Sequence, residues 1–369
     1  MVATNFARLF QRYSRKPFKL FQIEPTLQCG LKCVMCPWTA LRQSAGSMDW
    51  ETFQHIAAYL PLAREVDFTG GGEPLLHPRL LEMIWTAKQA HCRVGFSTNG
   101  LQLTAEMSKE LLTLNLDWIS FSVDAARPEI YEKIRPGAQF QRVCDHIAAL
   151  DALRSSRSGR FFQKRRPDMM MVLVMMRGET ENVDQLGEYV ELAHRLGVDQ
   201  VILKNLDVIT KESDDQRRVF SHRKTSAPEL EAELAKARNL ADRLGVRLRL
   251  YALQPVEQAI CEHNPIHSLF INWEGYLSPC ITLSYAEERI FGGQKLRVDC
   301  CRFGNIRTEP LDAILNRAEY AAFRQSFQGR QQADRQVAME TYLHGMDQAS
   351  VSLPPAPEPC RSCYYLYGV

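Results

Sequence analysis

The chain has 369 residues, of which 45% are hydrophobic and 24% are charged. This composition is ordinary for a soluble globular protein, and the length allows more than one folding unit. The 45 Lys and Arg residues nearly balance the 43 Asp and Glu residues. Because no net field attracts polyanions or an anionic lipid surface, we expect no nucleic-acid partner and no membrane partner.

The N-terminal segment lacks the features of a targeting signal. It mixes Arg and Lys with apolar residues, and no run of about 18 apolar residues occurs anywhere in the chain. We therefore predict a cytoplasmic protein with a short N-terminal extension at 1–18. In a reducing compartment the 11 cysteines are not expected to form disulfides, so clustered cysteines point to metal ligands or catalytic thiols.

Residues 19–252 alternate strand-like runs with amphipathic helical runs, the pattern of βα units around a parallel sheet. The strands are almost continuously apolar, which favours burial on both faces. The predicted class is α/β, with six or seven units in a full or partial barrel. The predicted strands lie at 18–24, 65–69, 92–98, 118–123, 169–176, 199–204 and 246–251. Among the predicted helices are those at 48–60, 78–90, 104–114 and 180–197.

The alternating pattern ends after about residue 252. The remaining tail contains six cysteines and few regular elements beyond a helical run at 309–327. We predict that residues 253–369 form a second, smaller unit that is stabilised partly by metal.

Three cysteines, Cys29, Cys33 and Cys36, share one short loop directly after the first predicted strand. Three thiolates can hold three corners of a cubane iron-sulfur cluster and leave one iron open to another molecule. An open metal position suits catalysis, whereas structural sites are closed. The alternatives are a zinc site completed by a distant residue such as His55 or His77, and a set of ordinary thiols.

Unusual polar motifs follow each of the first six predicted strands. In barrels of parallel strands, reacting groups lie at the C-terminal ends of the strands. The sequence therefore predicts a single active site on that rim. Besides the cysteine loop, the motifs are GGGEP at 70–74, TNG at 98–100, VDA at 123–125, RG at 177–178 and the pair Lys204 and Asn205.

The loop CGLKCVMC, placed after the first strand, resembles the cluster loop of the radical S-adenosylmethionine (SAM) superfamily. The resemblance implies a partial (β/α)6 TIM-like barrel, with a [4Fe-4S] cluster on the three cysteines and SAM on the open iron. It also implies reductive cleavage of SAM to a 5′-deoxyadenosyl radical that abstracts a hydrogen from a substrate carbon. Met35 stands where many relatives carry an aromatic residue, and its thioether is expected to pack on adenine.

The same resemblance assigns further SAM contacts. The motif GGGEP resembles the segment in which Gly71, Gly72 and Glu73 receive the methionine ammonium group; glycines permit close backbone approach, and a carboxylate suits a cation. The segment YEKIRPG resembles one whose arginine, here Arg135, reaches the methionine carboxylate, with a surface salt bridge as the alternative. The implied ribose and carboxylate contacts are Ser97, Asn99, Ser122 and Asp124.

The tail resembles the SPASM auxiliary-cluster extension, or its shorter version called twitch, through FINWEGYLSPC, FGNI and CRSC. The resemblance implies one auxiliary [4Fe-4S] cluster, because two fully protein-bound clusters need eight ligands and the tail has six cysteines. A zinc-binding tail is the alternative. The implied ligands are Cys261, Cys280, Cys360 and Cys363.

The adjacent Cys300 and Cys301 are left over by this assignment. One of them could replace Cys280 or Cys360 as a ligand, or both are spare thiols near the site. As a catalytic alternative, either thiol would return a hydrogen atom to the substrate, which gives epimerisation.

The implied function is maturation of a peptide or natural product, in which the auxiliary cluster takes an electron and aids a net oxidation. Relatives with this tail frequently modify ribosomally made peptides. The short N-terminal extension leaves no room for a fused leader-binding domain, so we expect a separate peptide-binding partner and an electron donor such as flavodoxin or ferredoxin. The alternatives are dehydrogenation or epimerisation of a small sugar or aminocyclitol, and a non-catalytic metal-binding scaffold.

Overall fold

The computed structural model describes residues 16–156, 166–221, 228–344 and 353–369. Nearly all of the predicted N-terminal extension lies outside these residues. No helix in the described ranges has the length and apolar character that a membrane span requires.

Seven parallel strands follow one another in chain order, and each pairs with its successor. All seven predicted strands are confirmed, with small shifts at their ends. Within this part of the sheet β7 is terminal, so the barrel is open. The strands are β1 Phe18–Ile23, β2 Ala63–Asp67, β3 Arg93–Thr98, β4 Trp118–Ser122, β5 Asp168–Val174, β6 Gln200–Lys204 and β7 Arg247–Leu250.

Helices occupy most of the connections between these strands. The first begins after Asp49, whose carboxylate accepts a hydrogen bond from the Thr52 amide at 2.7 Å, and the third begins after Thr104, which caps it in the same way. The helices are α1 Trp50–Ala57, α2 Leu80–Gln89, α3 Ala105–Thr113, α4 Pro128–Ile134, α5 Phe140–Ser156, α6 Leu186–Arg195, α7 Glu212–Arg217 and α8 Pro228–Leu244.

The central strands are buried on both faces, as their apolar runs predict. In β4, the consecutive residues Ile119, Ser120 and Phe121 are all buried. Phe21 of β1 and Phe96 of β3 are likewise inaccessible to solvent. The resulting rigid core holds the loops at the C-terminal ends of the strands.

The tail continues the same sheet. Strand β8 (Ser268–Ile271) pairs in parallel with β1, β9 (Tyr276–Ser278) pairs antiparallel with β8, and β12 (Gly304–Asn305) pairs with β9. A separate hairpin is formed by β10 (Glu287–Phe291) and β11 (Gln294–Val298).

The helical run predicted at 309–327 is two helices, α9 (Leu311–Leu315) and α10 (Ala318–His344). The second helix extends well beyond the predicted end. A mostly polar sequence lacks the apolar periodicity on which that prediction depended.

Candidate active site

A cavity of about 390 Å³ lies at the C-terminal ends of the strands. It is lined by the cysteine loop, by the loops after β2, β3 and β4, by the end of β6 and by the tail. The loops that follow these strands therefore meet at one cavity, as the rim prediction requires. Of the sequence-predicted residues, the lining contains Cys29, Cys33, Met35, Cys36, Gly71, Gly72, Glu73, Ser97, Asn99, Ser122 and Arg135.

Backbone hydrogen bonds attach the cysteine loop to the last residue of α4 and to the segment that follows it. The amide of Lys32 donates to Pro136 O at 3.1 Å, and the amide of Val34 donates to Ile134 O at 3.0 Å. This pairing brings Arg135 beside the loop, where its Nη1 lies 3.6 Å from Cys33 Sγ. The alternative interpretation of Arg135, a surface salt bridge, is wrong, because the side chain is buried.

The environment of the three sulfurs fits an iron-sulfur cluster. Hydrogen-bond donors face two of them: Leu31 N lies 3.5 Å and Asn99 Nδ2 lies 4.0 Å from Cys29 Sγ, and Arg135 faces Cys33. Burial raises the pKa of the Cys33 thiol to about 11, and the Arg135 guanidinium opposes this shift. A bound metal replaces the thiol proton and so stabilises the deprotonated sulfur in this buried position. Hydrogen bonds to the sulfur tune the reduction potential of such clusters.

A mononuclear zinc site requires several ligands grouped around one ion. No group of three or more His, Cys, Asp or Glu side chains in the described ranges surrounds one ion position. Neither His55 nor His77 lines the cavity; His77 Nε2 instead lies 2.9 Å from the Met48 carbonyl oxygen.

Asp124 lies behind Arg135 and is not among the residues that line the cavity. Its Oδ2 accepts a hydrogen bond from Arg135 Nε at 2.5 Å, and its Oδ1 accepts one from the Val174 amide at 2.8 Å. Asp124 is completely buried. The Asp124 carboxylate therefore faces Arg135 and not the cavity, and it fixes the orientation of the guanidinium.

Backbone crowding explains the glycines of the GGGEP loop. A Cβ atom on Gly72 would lie 2.4 Å from Thr26 O and 2.6 Å from Gln28 O. The next residue, Glu73, donates its amide to the same Gln28 carbonyl at 2.8 Å. The loop after β2 therefore lies directly on the segment that leads into the cysteine loop.

The carboxylate of Glu73 is saturated by neighbours within the chain. It accepts hydrogen bonds from Thr98 Oγ1 at 2.7 Å, from the Asn99 amide at 2.7 Å and from the Leu75 amide at 3.1 Å. Burial raises its pKa, and these donors oppose the shift. Glu73 thus joins the ends of β2 and β3 and positions Asn99 at the cavity.

Sequence reasoning missed the part of the lining that comes from the tail. Lys204 Nζ, at the end of β6, lies 2.7 Å from Asp207 Oδ2 and donates to the Tyr365 hydroxyl at 2.7 Å. His263 and Thr282 complete this wall. Lys204 was noted at the rim, but no local signal in the sequence pairs it with a residue 161 positions later.

The four predicted auxiliary ligands line one second cavity: Cys261, Cys280, Cys360 and Cys363. Burial raises the pKa of the Cys363 thiol to about 11, while Arg289 lowers it. Three residues, His263, Thr282 and Tyr365, line both cavities. They form the wall between the two cysteine sets.

Cys300 and Cys301 line neither of these two cavities. Cys300 is exposed, and Cys301 is half-buried with its amide donating to Leu283 O at 2.7 Å. Cys301 is close enough to Cys360 that its charge raises the pKa of that thiol. Of the two, only Cys301 lies near the auxiliary cysteines.

Two family models match the chain. The radical SAM superfamily model matches residues 23–193, and the model of the iron-sulfur cluster-binding SPASM domain matches residues 261–364. The chain belongs to the radical SAM superfamily and carries a SPASM domain. Its cofactors are S-adenosylmethionine with a [4Fe-4S] cluster in the first domain and auxiliary iron-sulfur in the second.

Similar curated proteins include the tungsten-containing aldehyde ferredoxin oxidoreductase cofactor-modifying protein of Pyrococcus furiosus, which is 29% identical over 83% of each chain. The PqqA peptide cyclase of Streptomyces rochei is 31% identical over 50% of this chain and 47% of its own. The mycofactocin maturase MftC of Mycobacterium ulcerans is 28% identical over 47% of this chain and 44% of its own. The match thus spans less than half the length of the latter two.

Solved structures share the fold. Streptococcus suis SuiB bound to its precursor peptide SuiA has a TM-score of 0.59 at 13% identity, covering 99% of this chain and 74% of that one. Native anSMEcpe with bound AdoMet has a TM-score of 0.56 at 15% identity, covering 84% of this chain and 83% of that one.

Proposed function

We propose that this protein is a radical SAM maturase that modifies a peptide substrate by abstracting a hydrogen atom from carbon. The observation that carries the proposal is the composition of the large cavity. One side is formed by the cysteine loop and the expected SAM contacts, and the rest by residues from the end of β6 and from the tail. Substrate, SAM and the first cysteine set would therefore meet in this cavity, with the auxiliary cysteines behind the wall that the tail contributes.

With the cluster bound and reduced, S-adenosylmethionine supplies a 5′-deoxyadenosyl radical, and the protein supplies orientation and exclusion of water. Cys29, Cys33 and Cys36 would hold the cluster. Arg135, fixed by Asp124, would place its guanidinium against the methionine carboxylate, because a planar fork of donors matches a carboxylate. The backbone carbonyl oxygens at 70–72, where the glycines carry no side chains of their own, would receive the ammonium group.

The tail would hold the substrate and the auxiliary cluster. Lys204, Asp207 and Tyr365 offer charged and hydroxyl groups beside the SAM-facing residues. Cys261, Cys280, Cys360 and Cys363 would ligate one auxiliary [4Fe-4S] cluster directly behind this wall. When bound by these cysteines, that cluster would supply the one-electron acceptor chemistry that a net oxidation needs.

A peptide substrate is supported by the relatives. Two of them are named for peptide or mycofactocin maturation, and the fold neighbour SuiB is bound to a precursor peptide. A separate peptide-binding partner and a flavodoxin or ferredoxin reductant belong to the same proposal.

A second candidate function is modification of a small cofactor. It is favoured by the Pyrococcus furiosus relative, which matches over 83% of both chains and is named a cofactor-modifying protein. A small sugar or aminocyclitol falls in the same class of small, protease-resistant substrates.

One isotope experiment separates these functions. The protein is reconstituted anaerobically with iron and sulfide, reduced, and given SAM together with a low-molecular-mass extract of its source cells grown in deuterated medium. Mass spectrometry then measures deuterium in the released 5′-deoxyadenosine. Deuterium that disappears when the extract is first digested with protease supports a peptide substrate, and deuterium that survives digestion supports the small-molecule candidate. Absence of any 5′-deoxyadenosine, with zinc as the bound metal, would overturn both in favour of a scaffold.

A further inference from the structure

A buried carboxylate links the glycine loop to the tail. Glu24 follows β1 and is completely inaccessible to solvent. Its Oε1 accepts a hydrogen bond from the Gly71 amide at 2.7 Å. Its Oε2 accepts one from the Trp273 amide at 3.3 Å and another from the Tyr285 hydroxyl. One side chain thus receives donors from the loop after β2 and from two separate places in the tail.

Packing around Glu24 restricts the loop from both sides. A Cβ atom on Gly70 would lie 2.2 Å from Glu24 Cγ, and one on Gly71 would lie 2.9 Å from Trp38 Cγ. Trp38 also packs against Tyr285, with ring centroids 5.4 Å apart. The glycine loop is therefore held between Glu24 and Trp38, and Tyr285 contacts both of these residues.

The electrostatics of Glu24 are unfavourable for a purely structural residue. Burial raises its pKa to about 7, although the Tyr285 hydroxyl and the two amides lower it. The charged and titratable groups that face it are Tyr285 and Glu274, with Arg302 beyond them at 3.4 Å from Glu274 Oε2. A buried carboxylate that lacks a directly bonded cation is costly, and such groups are concentrated at functional sites.

We propose that Glu24 is a positioning residue, which holds the Gly71 amide in the conformation that receives SAM while Trp273 and Tyr285 of the tail are docked. This inference rests on the proposed function, in which the loop at 70–73 binds SAM. Docking of the tail and affinity for SAM are then coupled through a single carboxylate. Tyr285 does not line the cavity, so it affects SAM only through this link and its packing on Trp38.

The test compares Glu24→Gln, Tyr285→Phe and the double variant in the full-length, anaerobically reconstituted protein. Matched controls are Glu65→Gln, a carboxylate on β2 that accepts from Trp118 Nε1 at 2.9 Å, and Tyr320→Phe, a buried tyrosine whose hydroxyl has no partner among the described residues. The measurements are iron content, the dissociation constant of SAM, and the change in the electron paramagnetic resonance spectrum of the reduced cluster when SAM is added.

We expect both single variants to retain their iron and to bind SAM about tenfold more weakly, since each loses a hydrogen bond to a charged group. The double variant should be no weaker than Glu24→Gln alone, because the two residues act through one link. The controls should bind SAM as the wild type does.

Wild-type affinity in Glu24→Gln or in Tyr285→Phe, or additive losses in the double variant, would overturn the inference and leave the proposed function intact. If Glu24→Gln loses its iron, the affinity of Tyr285→Phe for SAM alone tests the inference, because that change removes a single hydroxyl group. A wild-type protein that carries iron but does not bind SAM would overturn the proposed function and this inference together.

Discussion

The ammonium group of Lys204 donates a hydrogen bond to the hydroxyl of Tyr365 at 2.7 Å. This contact joins the end of β6 to the last turn of the tail, two residues beyond Cys363. Asp207 shares the same ammonium group at 2.7 Å. This side of the cavity is therefore built jointly by the barrel and the tail.

Removal of the Tyr365 hydroxyl should impair use of the substrate. In Tyr365→Phe, Lys204 loses a hydrogen-bond partner, and we expect kcat/KM for the substrate to fall about tenfold. The amount of product per 5′-deoxyadenosine released should fall with it. Tyr367→Phe is the matched control, because the Tyr367 hydroxyl donates to Arg361 O at the exposed surface. If the two variants form the same amount of product per 5′-deoxyadenosine released, Tyr365 does not orient the substrate.

The two cysteine sets should lose iron independently. The wild type should hold about eight irons as two [4Fe-4S] clusters. Cys33→Ala should retain about four of these and release no 5′-deoxyadenosine, whereas Cys363→Ala should lose the other set. Cys300→Ala is the control, since Cys300 is exposed and outside both cavities. Iron analysis with Mössbauer spectroscopy checks these values, and loss of iron in Cys300→Ala would contradict the ligand assignment.

Asp124→Asn should weaken SAM binding and destabilise the fold. The change leaves Arg135 without its buried charge partner, and breaking such a pair typically costs about 3–5 kcal/mol. Asp184→Asn is the control, because Asp184 pairs with Arg127 at the exposed surface and should change stability by about 1 kcal/mol or less. Urea unfolding followed by circular dichroism measures both. Equal unfolding midpoints would exclude a structural role for the Asp124 pair.

Gly72→Ala should abolish SAM binding. The added methyl group would be forced against the carbonyl oxygens of Thr26 and Gln28, which are backbone atoms that cannot rotate away. Gly329→Ala in α10 is the control, because nothing lies within 4 Å of the added atom, and alanine there should stabilise the helix by about 0.5–1 kcal/mol. Titration with SAM distinguishes them, and normal binding by Gly72→Ala would mean that the loop differs from this geometry.

Affinity for SAM should rise with pH in the neutral range. Three donors face the Glu24 carboxylate, so its ionised form is the one that holds Gly71, and the pKa is raised to about 7. Because the pKa in the folded protein lies above the ordinary value of 4.5 for Glu, the stability that this group contributes decreases as pH rises from about 4.5 to about 7. We expect tighter SAM binding at pH 8 than at pH 6 in the wild type and a flatter profile in Glu24→Gln. If SAM affinity changes with pH in the same way in the wild type and in Glu24→Gln, a group other than Glu24 is responsible for the pH dependence.

Local patterns in the sequence were sufficient to predict the strands and the polar rim. An apolar run such as the one around Phe121 indicates a buried strand because its signal lies within a few residues. The polar motifs followed from their positions just after such runs. The contacts of Glu24 with Trp273 and Tyr285 could not be predicted, because they join residues 249 and 261 positions apart. The indirect placement of Asp124 depends on side-chain orientation, which motif spacing does not specify.

Strand β1 has a neighbour on each side, β2 from the barrel and β8 from the tail. A shortened chain that stopped near residue 252 would strip the second neighbour away. The amide and carbonyl groups of 20–23 that face β8 would then lack hydrogen-bond partners. An exposed strand edge of this kind can pair with strands of other chains and form intermolecular sheets. The cysteine-rich tail thus covers this edge of β1, and a barrel without it should be more prone to self-association than the full chain.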